Sequence, residues 1–132
     1  MPLDAVSLVR ELARDGDDVE GMLVIGLDAS GGVCGVGVNA HHRALSFVKV
    51  WEVEALAREL DACSVVIALF PAGRWRAPTV HEIDAFVDLS ARARRAQLTL
   101  HDCVIARGGQ IWSLRELHGP VSGSCTEHPW GP

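Results

Sequence analysis

The chain has no tyrosine, and its only aromatic residues are four tryptophans and three phenylalanines among 132 residues. Few aromatic anchors are therefore to spare. It also lacks a long apolar stretch. The longest uninterrupted run is Val65 to Phe70 with its flanks, whereas a membrane span needs about 20 such residues. No basic segment followed by an apolar one opens the chain, so no export signal is expected. The cysteines at 34, 63, 103 and 125 make no C-x-x-C pair. That excludes a zinc ribbon and a thioredoxin-type motif. With no export signal, free thiols in a reducing cytoplasm are expected, and Cys63 and Cys103, in apolar runs, are expected to be buried. There is no basic excess either. The net charge of −5 disfavours a nucleic-acid binder that works by bulk electrostatics. The charge is uneven: residues 74 to 107 hold six arginines against four acids.

A 48% hydrophobic content over this length supports one domain with a real core. Ala5, Leu8, Val9 and Leu12 follow the spacing of an amphipathic helix, with Asp4 as its cap. Met22 to Leu27 reads as a strand buried on both faces. A turn at Asp28 to Gly32 leads to a hairpin partner, Val33 to Val38, whose Gly35 and Gly37 leave one face bare. Phe47 to Val50 reads as a short extended piece. Glu52 to Leu60 reads as a helix, and Ser64 to Phe70 as the central strand. Thr79 to Arg95 is the longest helix, with Ile83, Phe86, Val87 and Ala91 expected to face inward. Leu98 to Ala106 and a short piece through Trp112 complete the strands. Residues 119–132 are rich in Gly, Pro and Ser and read as a tail. The alternation predicts an α/β domain, a mixed sheet flanked by helices.

The runs "WEVEALARELDACSVVIALFPAG" and "PTVHEIDAFVDLSARARRAQLTLHDCVIARGGQIWSLRE" resemble the RadC-like JAB/MPN (JAMM) domain family. The family pattern runs R-E-V, a helix, a strand ending H-N-H-P-S-G, P-S-x-x-D, a helix, L-D-H-x-I-x-G and S-x-R-E. The matching residues are Glu52-Val53, Pro71, Gly73, Pro78-Thr79, Ile105 and Ser113-Leu114-Arg115-Glu116. Upstream, Glu20 stands on the family glutamate and Leu27-Asp28 on its L-D. The resemblance covers residues 3–118 and implies a cytidine-deaminase-like α/β fold.

The resemblance also implies a site. Active members hold zinc with two histidines and an aspartate, use a glutamate as base, and use a serine at the oxyanion. A catalytic zinc needs three protein ligands and an open position. Here the histidine positions read Ala68 and Phe70, the serine reads Thr79 and the aspartate Glu82; only Glu20, the relic base, is kept in kind. Thr79-x-x-Glu82 reads by preference as a capping box. His101-Asp102 stands at the place of the family's D-H with the order reversed, and neither residue inherits a role. His41 and His42 read as loop residues. "GRWRAP" replaces a small polar loop, and Arg74, Trp75 and Arg76 are candidate binding residues because Trp and Arg are rich in interface anchors; Trp75 as mere space filler stays open. The other tryptophans are expected elsewhere: Trp51 and Trp112 at the core, Trp130 in the tail.

The expected function is a catalytically inactive, zinc-free JAB/MPN-type domain, with no cofactor, that binds a protein partner or dimerises. One alternative is a metal-dependent isopeptidase or peptidase with rearranged ligands, drawing on Glu20, His81 and Glu82 with His41 or His101. Another is a RadC-like DNA-repair-associated factor, although Arg92, Arg94 and Arg95 read as an ordinary solvated helix face. No membrane partner is expected.

Overall fold

The two uninterrupted apolar runs lie side by side in the middle of a five-stranded sheet. The computed structural model describes residues 5–14, 21–39, 45, 48–70, 78–107 and 110–118. The elements are α1 (Ala5–Arg14), β1 (Gly21–Leu27), β2 (Val33–Asn39), α2 (Val50–Glu59), β3 (Ser64–Phe70), α3 (Val80–Arg95), β4 (Thr99–Arg107), β5 (Gln110–Ser113) and α4 (Leu114–His118). The strand order is β2-β1-β3-β4-β5. β1 pairs antiparallel with β2 and β3. β3 and β4 are parallel, joined through α3, and β5 returns antiparallel. This is the mixed α/β sheet that the alternation of elements predicts. No helix among the described residues is long and apolar enough to cross a membrane.

Side-chain alternation divides the core between the two faces of the sheet. Val65, Ile67 and Leu69 of β3 share one cluster with Val53 and Ala57 of α2 and Phe86, Leu89 and Ala93 of α3. Val66, Ala68 and Phe70 share the other with Val9 of α1. A strand covered on both faces has no polar position to alternate, which is why β1 and β3 read as solid apolar runs. The bare face of β2 is used as expected. A Cβ at Gly37 would come within 2.9 Å of Leu56, and one at Gly35 within 2.7 Å of Leu60. Only glycine lets α2 settle this close.

Several expectations are corrected. Val50 opens α2 rather than ending an extended piece; Phe47 lies outside the described residues. α3 buries Phe86, Leu89 and Ala93, while Val87 is 39% exposed and Ala91 is exposed. The helix is apolar around much of its girth, so the sequence left its rotation open. Cys63 is exposed, because β3 begins one residue later; Cys103 is buried as expected. Trp51 is 68% exposed. It precedes the buried Val53 by two residues, about 200° around the helix. The tail from 119 lies outside the described residues, and α4 is an element that the sequence reading did not include.

Candidate functional site

Ala68 and Phe70 end β3 on the α1 face. Ala68 lies between Leu23 and Val104 in the register, and Phe70 pairs with Gly21. Both are buried, at 0% and 3% exposure, among Val9, Leu23, Val66, Val104 and Ala106. Neither side chain has a lone pair for a metal, and the volume around them is apolar.

Thr79 and Glu82 belong to α3, which packs on the opposite face. They form a capping box, which the sequence indicated. The Glu82 backbone N–H donates to Thr79 Oγ1 at 3.4 Å, and the Thr79 N–H donates back to Glu82 Oε1 at 2.9 Å. This satisfies donors that the first helical turn leaves without partners. It also turns the Glu82 carboxylate back onto its own helix start. Ala68, Phe70, Thr79 and Glu82 therefore divide into a buried apolar pair and a helix cap, and the structure does not bring them together as one ligand set.

The polar centre of the described molecule lies elsewhere, on Asp102. Its carboxylate has no solvent exposure. Oδ2 accepts from Ser113 Oγ at 2.6 Å; Oδ1 accepts from the Cys103 N–H at 2.7 Å and the Arg115 N–H at 3.2 Å. Ser113 Oγ in turn accepts from the Glu116 N–H at 3.1 Å. Arg115 reaches back to the His101 carbonyl at 3.4 Å. One buried carboxylate thus ties β4 to the β5–α4 junction. A register shift makes this possible. Val65 faces Leu100 but Val66 faces Asp102, so His101 is the extra residue of a β-bulge. The bulge lets Leu100 and Cys103 both join the α2–α3 face and sends Asp102 to the other. Sequence reasoning set Asp102 aside; Ser113, eleven residues on at the end of the short strand β5, was the available signal.

Burial and then the Arg115 charge hold the His101 pKa below its ordinary value. Burial pushes the Cys103 thiol well up, and the charges of Asp102 and Glu82 add to this. Cys103 is therefore a core thiol and not a nucleophile. His81 is exposed in the first turn of α3. Among the described residues, no three His, Cys, Asp or Glu side chains gather into a metal-binding group. A hollow of about 380 Å³ lies at the other end of the sheet from Phe70, lined in part by Asp28, Arg58, Asp61 and Cys63. Two of its charged groups are engaged: Arg58 pairs with Glu54 at 2.6 Å, and Asp28 closes its own turn through Ser30 and Gly32. Glu20, His41, His42, Arg74, Trp75, Arg76, Cys125, His128 and Trp130 lie outside the described residues.

Neither a scan against protein-family models nor a search of curated proteins finds a match to this chain.

Proposed function

We propose that the chain is a catalytically inactive, zinc-free RadC-like JAB/MPN-type domain whose role is to bind protein. The observation that carries this is the chemistry at positions 68 and 70. Where the resemblance calls for two histidines, the chain buries Ala68 and Phe70 in an apolar cluster, and the position of the third ligand, Glu82, caps a helix. These residues do not fit a zinc ion, so no hydrolytic step runs through them.

The family half of the reading is supported by how the matching residues meet. His101-Asp102 stands at the place of the pattern's D-H with the order reversed. That aspartate then bonds the serine of S-x-R-E, Ser113. Two distant parts of the pattern are thereby joined in one polar cluster.

Metal analysis of protein purified without added zinc tests the proposal. Substoichiometric zinc is expected, together with no zinc-dependent peptidase activity after Ala68→His with Phe70→His. That double variant places imidazoles on the α1 face while Glu82 stays on α3. One zinc per chain, lost on Glu82→Ala, would overturn the zinc-free reading.

A further inference from the structure

We infer that the partner is a second copy of this chain, joined edge to edge through β2. The inference rests on the reading of a protein-binding domain and names what it binds. β2 is an outer strand, paired with β1 on one side only among the described residues. Such an edge is usually guarded by charge, proline or shortness. The opposite edge, β5, has four residues. β2 has seven, Val33–Asn39, with no charge and no proline. Val36 and Val38 stand on its outer face at 39% and 67% exposure.

The sequence of β2 is suited to itself. In an antiparallel pairing centred on Val36, each valine 36 meets its copy, and Gly35 of one chain lies beside Gly37 of the other. Paired β-branched residues stabilise a cross-strand seam, and no like charges are opposed. The helices fit as well. Gly35 and Gly37 lie under Leu60 and Leu56, so the Leu56–Leu60 edge of α2 overhangs β2. Pairing two β2 strands about 4.8 Å apart brings the Leu56 and Leu60 side chains of the two copies toward each other on that face. A strand seam alone falls short of the roughly 1,200 Å² of a stable interface; the half-buried Leu56 and Leu60 of each copy extend it. Each copy carries a net charge of −5, and Glu59 of α2 is exposed. The dimer therefore tightens as salt screens the repulsion between copies.

Sedimentation of the full chain over micromolar concentrations, at low and high salt, reads the state directly. A reversible dimer is expected. Val36→Lys opposes two ammonium groups at the two-fold and weakens the dimer roughly tenfold or more, while Val80→Lys on α3 leaves it unchanged. A second measurement stands if Val36→Lys fails to fold. With Cys34, Cys63 and Cys125 replaced by serine, Val36→Cys gives a disulfide-linked dimer on mild oxidation, since facing cross-strand residues are about 4.5–5.5 Å apart. Val80→Cys in the same background cross-links only at the collision rate. A monomer throughout, a dimer indifferent to Val36→Lys, assemblies larger than two, or cross-linking at position 36 no faster than at 80 would overturn the inference. None of these outcomes touches the zinc-free reading, which metal content decides.

Discussion

Removing the Asp102 side chain is the most damaging single truncation expected in this fold. Asp102→Ala leaves three donors without their acceptor: the Cys103 and Arg115 N–H groups and the Ser113 hydroxyl. An unsatisfied buried donor costs about 1–3 kcal/mol. Partial relief by water at the half-buried Arg115 brings the total to about 3–6 kcal/mol. Domains are stable by only about 5–15 kcal/mol, so the variant is expected to lose about a fifth or more of its stability. Asp102→Asn keeps the volume. Its amide oxygen still accepts the two backbone N–H groups, and its NH₂ turns toward Ser113 Oγ. What is lost is charge assistance and one well-directed O–H donor, about 1–2 kcal/mol. Ser113→Ala removes the hydroxyl that serves both Asp102 and the Glu116 N–H and falls in a similar range. Because the two groups bond each other, Asp102→Asn with Ser113→Ala is expected to be non-additive by at least about 0.5 kcal/mol. Urea denaturation of the four proteins measures this. If Asp102→Ala lies within about 1 kcal/mol of the parent, Asp102 is not the tie between β4 and α4.

Three further outcomes are expected. Gly26→Ala puts a Cβ 2.8 Å from the Ala62 Cβ and 3.2 Å from that of Leu60; overpacking there costs about 1–3 kcal/mol, seen as a lower urea midpoint with an unchanged slope. Thr79→Ala removes the cap of α3 and costs about 1 kcal/mol, measured by thermal unfolding, while Thr79→Ser retains most of it. His101 has its folded pKa held below 6.5, so the unfolded chain binds more protons; stability is full above about 6.5 and falls as pH drops toward and through the folded value. His101→Gln is expected to flatten that part of the pH profile, and an unchanged slope between neutral and mildly acid pH would rule the histidine out as its source.

The sequence by itself determined the elements whose local signal and tertiary role agree. Val65 to Phe70 has no polar position to expose, so it had to be a central strand, and it is β3. Thr79 and Glu82 are three residues apart at a helix start, and backbone chemistry alone makes them a cap. Gly35 and Gly37 announced a close approach, although only the packed α2 shows that Leu56 and Leu60 make it. Other features depended on neighbours distant in sequence. α3 carries apolar residues around much of its girth, so the sheet beneath it chose Leu89 and left Val87 in solvent. Trp51 is exposed because Val53 and Ala57 fixed the rotation of α2. The largest departure is at His101. A strand read by strict alternation places Leu100 and Cys103 on opposite faces, and nothing local announces the extra residue. The pairing of β4 with β3 admits the bulge, because it buries both apolar side chains on one face and delivers Asp102 to the three donors that make its burial tolerable.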